Sequence, residues 1–190
     1  MIATVLLGLL TLLPTAEQAV DLMAALRARG SLPAGWVEVE GELRSEDGAR
    51  PLPSGFTWER VGSVEVSLSL ASAEATAASL VVGTSHLGFA GRSGRPFVEG
   101  PLFGGPTRFL EAAPPRPGEV LNARLVRTPE GRVEAWLRGQ RVYDGAAPEG
   151  SWGPVALRPR RDRMRVERWV GEGLSPQPRP LGSRTTVFRR

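Results

Sequence analysis

The sequence contains no cysteine, and this absence removes several kinds of function at once. Disulfide bonds, thiolate zinc sites and cysteine nucleophiles all require a thiol, so none of them can operate in this chain. A lipid anchor attached through cysteine is excluded for the same reason. Stability must therefore come from a packed core, for which 41% hydrophobic residues in a chain of 190 are sufficient.

Lysine is also absent, because all 24 basic residues are arginine. The net charge is only +4, so the sequence pI of about 11 overstates the basic character of the protein. Arginines alternate with acidic residues except at 158–168 and at the C-terminal end. A nucleic-acid-binding protein usually has a sustained basic stripe with stacking aromatics, so we predict no nucleic-acid partner. The segment 158–168 is interpreted as an exposed strand pair, or alternatively as a surface for an acidic polysaccharide or other anionic partner.

Histidine occurs once, at position 86, and this scarcity limits metal and triad chemistry. One imidazole cannot form a histidine-rich metal site, and no pair of acidic residues lies nearby at ligand spacing. No G-x-S-x-G motif is present. We predict neither a metal nor a cofactor, leave calcium open, and interpret His86 as a structural or surface residue at a strand end.

No apolar run approaches the roughly 20 residues of a transmembrane helix, so no membrane span is predicted. The longest run, residues 2–13, has the length of a signal-peptide core and predicts export to the periplasm, cell envelope or exterior. Thr15 to Gln18 then match a capping box, which predicts a helix over 16–29 ended by Gly30. Residues 1–30 are thus an export signal, an N-terminal helix of the fold, or both.

From residue 36 onward, apolar and polar residues alternate in short segments separated by turn signals. The clearest segments are Val64 to Leu70, Leu121 to Val126 and Val133 to Leu137, with the last strands predicted over 153–158 and 162–170. Such a pattern predicts an all-β fold of two packed antiparallel sheets over residues 31–172. Gly139-Gln140 is interpreted as a type II′ hairpin turn. The Pro-, Ser- and Arg-rich residues 173–190 are predicted to be a disordered basic tail.

Three glutamates, Glu38, Glu40 and Glu42, occupy alternate positions of the first predicted strand. On one strand, residues two apart lie roughly 6.6 Å from each other, a spacing that some glycosidase carboxylates share. Because Val37, Val39 and Leu43 alternate with them, the glutamates are interpreted instead as the solvent side of the strand.

Three segments, 35–43, 117–142 and 153–169, resemble the 3-keto-disaccharide hydrolase family of secreted bacterial proteins. They are GWVEVEGEL, the segment from PGE through NARLV to RVEAWLRGQRV, and GPVALRP with MRVERW. The same hairpin pattern occurs in concanavalin A-like lectins, glucanases and laminin G-like domains. The resemblance implies a concanavalin A-like jelly-roll sandwich with one N-terminal helix. Arg138 stands where the family has asparagine.

A candidate ligand site follows from alternation around Trp136. Its predicted neighbours on the same strand face are Glu134, Arg138 and, across the hairpin, Asn122 and Arg124. An aromatic ring among hydrogen-bonding side chains suits sugar recognition, because the ring stacks on the C–H face of a pyranose. Alternatively, Trp136 packs under a neighbouring loop or sheet edge.

These patterns favour non-catalytic binding of a carbohydrate or cell-surface glycan. The resemblance also leaves two alternatives, a glycoside hydrolase of the 3-keto-disaccharide type and a laminin G-like structural or protein-interaction domain.

Overall fold

Two antiparallel sheets share one buried core in the computed structural model, which describes residues 19–72, 78–150, 152–160 and 163–178. The predicted all-β sandwich with one short N-terminal helix is confirmed. The elements, in chain order, are β1 (Val20–Asp21), α1 (Leu22–Arg27), β2 (Trp36–Val39), β3 (Glu42–Ser45), β4 (Leu52–Trp58), β5 (Gly62–Leu70), β6 (Ser79–Val82), β7 (Ser85–Phe89), β8 (Pro96–Gly100), a 3₁₀ turn (Pro101–Phe103), β9 (Gly105–Phe109), β10 (Leu121–Arg127), β11 (Arg132–Leu137), β12 (Gln140–Ala146), β13 (Gly153–Arg158), β14 (Met164–Gly171) and β15 (Leu174–Pro176).

The first sheet has the strand order β12-β11-β10-β5-β14-β3-β2, and β1 also pairs with β14. The second sheet has the order β15-β4-β13-β6-β7-β8-β9. Neighbouring strands in both sheets are often distant in sequence, as β5 and β14 are. The core therefore forms only when segments far apart in the chain come together. Each sheet therefore has one face against the core and one outer face, and the candidate sites lie on the outer faces.

The alternating segments bury the side chains that the sequence predicts. Val64, Val66, Leu68 and Leu70 of β5 are at most 2% exposed, as are Val133, Ala135 and Leu137 of β11. Burying a Val or Leu side chain fully contributes about 1.5–3 kcal/mol each, which makes these strands the main source of stability. The polar residues between them consequently face outward.

The first predicted strand is in fact a hairpin in which Glu38 and Glu40 are exposed, as predicted, but Val37 is exposed as well. Strands β2 and β3 are joined by Glu40 and Gly41, whose φ angles of 53° and 82° match a type I′ two-residue turn. Trp36 is buried while Val37 is 40% exposed. Glu38 lies directly opposite the buried Leu43, but on this edge strand its side chain remains 38% exposed and reaches Arg27 at the surface.

The N-terminal helix is shorter than predicted and begins at Leu22. Residues Val20–Asp21 are extended and pair with β14, and the Asp21 carboxylate caps the helix by accepting from the Ala24 backbone N–H at 3.0 Å. The predicted capping box at Thr15 to Gln18, and the apolar run 2–13, lie outside the described residues. Leu22, Met23 and Leu26 are buried, so the helix belongs to the domain.

Two further boundaries differ from the prediction. The β11–β12 turn consists of Arg138-Gly139 instead of Gly139-Gln140, because Leu137 pairs with Gln140 and both turn residues have positive φ. At the other end, the domain continues past residue 172, since β15 at Leu174–Pro176 pairs with β4. Residues 179–190 of the predicted tail lie outside the described part of the chain. Within that part, no helix is long and apolar enough to cross a membrane.

Candidate functional site

The outer face of the first sheet gathers most of the predicted site residues across three adjacent strands. Residues directly opposite each other on antiparallel strands share a face. Arg124 on β10 lies opposite Trp136 on β11 and Glu65 on β5, and Asn122 lies opposite Ser67. We call the outward surface formed by Glu65, Asn122, Arg124 and Trp136, together with Gly139, the Trp136 face; it encloses a cavity of about 320 Å³.

Hydrogen bonds fix several side chains of the Trp136 face. The Trp136 indole Nε1–H donates to Glu134 Oε2 at 2.9 Å, and Arg141 donates to Glu134 Oε1 at 2.9 Å. Glu134 therefore holds Trp136 in place and does not itself line the cavity. Ser67 donates to Asn122 Oδ1 at 2.7 Å, and the Asn122 amide nitrogen makes no hydrogen bond to a described residue.

Arg124 is the cation of this face that has no side-chain partner among the residues that the structure describes. Its opposite neighbour, Glu65, accepts a hydrogen bond from Arg168 instead. Within the described residues, Arg124 makes no hydrogen bond or ion pair. The cavity thus combines an aromatic ring, an amide and an open guanidinium, groups that can contact a polar ligand.

Arg138 does not join this face, and the prediction that it does is wrong. It occupies the first turn position with φ of 53°, and its guanidinium donates to Glu119 at 2.7 Å and 3.1 Å and to the carbonyls of Ala113 and Pro114. The hydrogen bond from Arg138, with a second from the Arg116 backbone N–H, lowers the pKa of Glu119 to about 2. Arg138 thus fastens the hairpin turn to the preceding loop.

A second cavity, of about 240 Å³, lies on the outer face of the second sheet and was not predicted as a site from sequence. Its wall residues come from β6 through β9 and from the segment after β13. They are Ser79, His86, Ala90, Phe97, Glu99, Thr107, Phe109 and Arg160, and we call this surface the His86 face. Instead of ending a strand, His86 lies within β7 and opposite Glu99 on β8.

The polar groups of the His86 face are only partly engaged. Ser79 Oγ lies 3.1 Å from His86 Nδ1, and Thr107 donates to Glu99 Oε2 at 2.8 Å. Burial lowers the pKa of His86, and the charge of Arg158 lowers it further. At neutral pH the imidazole is therefore uncharged, so it has one donor nitrogen and one acceptor nitrogen.

The signal for the His86 face was present but incomplete in the sequence. His86, Phe97 and Glu99 alternate with the buried residues Leu87 and Val98, so each could be assigned outward. These side chains come together only because β7 pairs with β8 and β8 pairs with β9. The composition of the sequence does not encode that pairing.

Two of the three glutamates of the first hairpin form ion pairs with arginines. Glu38 accepts from Arg27 at 2.6 Å, and Glu42 accepts from Arg165 and Arg44. The hydrogen bond from Arg165 lowers the pKa of Glu42, so this carboxylate stays ionised. Among the described residues, no group of three or more His, Asp or Glu is placed to hold a metal ion.

Comparisons with known proteins identify the fold. No protein-family model matches the sequence, and no curated protein is significantly similar to it. Among solved structures, the carbohydrate-binding module CBM66 from Bacillus subtilis superposes with a TM-score of 0.55 at 11% identity, covering 75% of this chain and 94% of the module. A sialidase superposes with a TM-score of 0.54 at 12% identity, covering 82% of this chain but 18% of the sialidase. These similarities show the fold alone, a two-sheet jelly-roll sandwich.

Proposed function

We propose that the protein binds a carbohydrate through the Trp136 face and does so without catalysis. The observation that carries this proposal is the cavity in which Trp136, Arg124 and Asn122 converge. A pyranose has an apolar C–H face and a rim of hydroxyls, so it matches a ring beside hydrogen-bond donors. The similarity of the fold to a carbohydrate-binding module supports the same class of ligand.

The arrangement of carboxylates favours binding over hydrolysis. A glycosidase of the usual kind needs two carboxyl groups flanking the bond that breaks. On the Trp136 face, Glu65 pairs with Arg168, and Glu134 pairs with both Arg141 and the Trp136 indole. Neither carboxylate is presented alone to the cavity. The 3-keto-disaccharide hydrolase activity and the laminin G-like protein interaction are therefore alternatives that the experiment below distinguishes.

The test is binding of a panel of neutral oligosaccharides by the full chain, measured by glycan array and then by calorimetry. For a sugar that binds, Trp136→Ala is expected to weaken affinity about tenfold, because the stacking ring is lost. Trp136→Phe keeps a ring and should retain part of the affinity. The matched control is Val120→Ala, which changes a side chain that is 49% exposed and lines neither cavity.

Three results would contradict the proposal. Equal affinity of the wild type and Trp136→Ala would show that the indole ring does not contribute to sugar binding. Turnover of a 3-keto-glycoside that Glu134→Gln abolishes would establish the hydrolase alternative. Absence of binding across the panel, together with stable capture of a protein partner, would favour the laminin G-like alternative.

The proposed location is the periplasm, cell envelope or exterior, from the apolar run at residues 2–13. Expression of the full chain in a Gram-negative host, followed by fractionation and N-terminal sequencing, tests it. Recovery of a shortened chain from the periplasm is expected, and recovery of the intact chain from the cytoplasm alone would contradict export.

A further inference from the structure

The His86 face is a second concave surface, separated from the Trp136 face by the full thickness of the sandwich. Its floor and walls combine two phenylalanines with four hydrogen-bonding side chains and an arginine. Phe97 and Phe109 are directly opposite each other on β8 and β9, so their rings are adjacent. Phe109 is 50% exposed, so its ring is accessible to a ligand that enters the cavity.

The volume of this cavity limits the size of its ligand. At about 240 Å³ it lies below the roughly 300–1,000 Å³ of pockets that enclose drug-sized molecules. A single ring or chain end fits such a space better than a long segment. The exposed Phe109 ring provides the apolar contact that a sugar ring needs.

The charges around the cavity are mostly positive. Arg160 lines the wall and makes no hydrogen bond or ion pair with any residue that the structure describes. Arg158 acts electrostatically on His86, and Arg95 places its guanidinium carbon 4.6 Å from the Phe109 ring centroid. Against these three arginines, Glu99 is the acidic wall residue. An anionic group entering the cavity would therefore meet an unsatisfied guanidinium.

We propose that the His86 face binds an acidic sugar unit, with the sugar carboxylate on Arg160 and the sugar ring against Phe109. Guanidinium binds carboxylate through two parallel hydrogen bonds, which gives both strength and orientation. Glu99 and His86 then contact sugar hydroxyls, Glu99 as an acceptor. This site is independent of the Trp136 face, and it would account for the open arginines near residues 158–160.

The experiment is calorimetry on the full chain with trisaccharides of galacturonic, glucuronic, mannuronic and guluronic acid. The methyl ester of each binding trisaccharide is the matched ligand control, because it keeps the ring and removes the charge. Arg160→Gln is expected to weaken binding of the acid at least tenfold and to leave the ester unchanged. Phe109→Ala should weaken binding of both the acid and the ester, whereas Val120→Ala should weaken binding of neither. A 6-sulfated neutral trisaccharide distinguishes carboxylate recognition from binding of any anion.

The variants also separate this site from the Trp136 face. Trp136→Ala is expected to leave acid binding unchanged, whereas Arg160→Gln and Phe109→Ala should leave neutral-sugar binding unchanged. Phe109 and Arg160 are accessible, so thermal unfolding should confirm that both variants fold. The proposal is overturned if acid and ester bind equally, if Arg160→Gln has no effect on acid binding, if Trp136→Ala abolishes it, or if none of the acidic trisaccharides binds.

Discussion

The two outer faces of this sandwich use arginine in opposite ways. On the first sheet, arginines are bound to carboxylates on neighbouring strands, such as Arg168 with Glu65 and Arg141 with Glu134. On the second sheet, no ion pair joins two described residues, and within this part of the chain the Arg158 and Arg160 side chains make no hydrogen bond or ion pair. Arg160 lines the same cavity as Phe97 and the half-exposed Phe109. The same residue type thus fastens strands on one face and remains available to a ligand on the other.

This contrast teaches that net charge alone does not locate a binding surface. The chain carries +4, but the first face neutralises most of its arginines through cross-strand pairs. Exposed pairs of this kind contribute about 0.2–1 kcal/mol each and mainly fix strand register. A ligand responds to the charges that remain unpaired, which on the Trp136 face is Arg124 and on the His86 face is Arg160.

The largest expected loss of stability comes from substitution of Gly88, a glycine that packs closely beneath the His86 face. A Cβ added to Gly88 would lie 2.7 Å from the Ala78 carbonyl oxygen and 2.7 Å from Ser79 Cβ. Gly88→Ala should therefore lower stability by about 2 kcal/mol and lower the Tm by roughly 4–8 °C. Thermal unfolding by circular dichroism measures this.

The control for Gly88 lies on the other face. Gly139 has open space around it and a φ of 76°, which asparagine tolerates. Gly139→Asn should change the Tm by little. Gly88 has no positive φ, so equal losses in the two variants would contradict close packing as the reason for glycine at position 88.

A smaller effect is expected where Glu134 supports the Trp136 ring. Glu134→Ala removes the acceptor of the half-buried indole N–H and should cost about 1–2 kcal/mol in stability. Trp136 should then lose its fixed orientation, so affinity for neutral sugars should fall together with stability. A double-mutant cycle of Glu134→Ala with Trp136→Ala measures the coupling, and additive losses would contradict it.

The sequence predicted a binding face well where its residues lie on one hairpin, and poorly where they lie on strands whose pairing the sequence does not reveal. Alternation in β5, β10 and β11 predicted both the core and three members of the Trp136 face, because β10 and β11 form one hairpin. Arg138 was misplaced because a positive φ is rare for arginine, so its residue type did not mark a turn position. The His86 face escaped prediction because it depends on pairing among β6, β7, β8 and β9 and on Arg160 from another part of the chain.

The pH dependence of stability should distinguish the Arg138 contact from the paired charges of the sheet. Because the pKa of Glu119 falls from its ordinary value of about 4.3 to about 2, the contact stabilises the fold above pH 4.3 and is lost as pH falls toward 2. Arg138→Gln should cost less than about 1 kcal/mol at pH 7, and the cost should shrink as pH falls through 2, leaving the part due to the carbonyls of Ala113 and Pro114. Chemical unfolding at pH 7 and below pH 2 measures it, and a cost of equal size at both pH values would contradict the assignment.

The smallest change in the free energy of unfolding is expected on substitution of Glu38, the first of the three alternating glutamates. Its carboxylate binds Arg27 at the surface, with both side chains more than a third exposed. Arg27 also donates to the Gly41 carbonyl at 2.6 Å, so it remains anchored without Glu38.

Glu38→Gln should therefore change the free energy of unfolding by less than about 0.5 kcal/mol. It should leave binding at both faces unchanged, because the hairpin lines neither cavity. Urea unfolding and calorimetry with the best neutral and acidic trisaccharides measure the two outcomes. Loss of binding would assign a third functional surface to the β2–β3 hairpin. If binding is retained, the spacing of these glutamates reflects a two-residue turn between short strands, and the carboxylates of Glu38 and Glu42 attach that hairpin to α1 and β14.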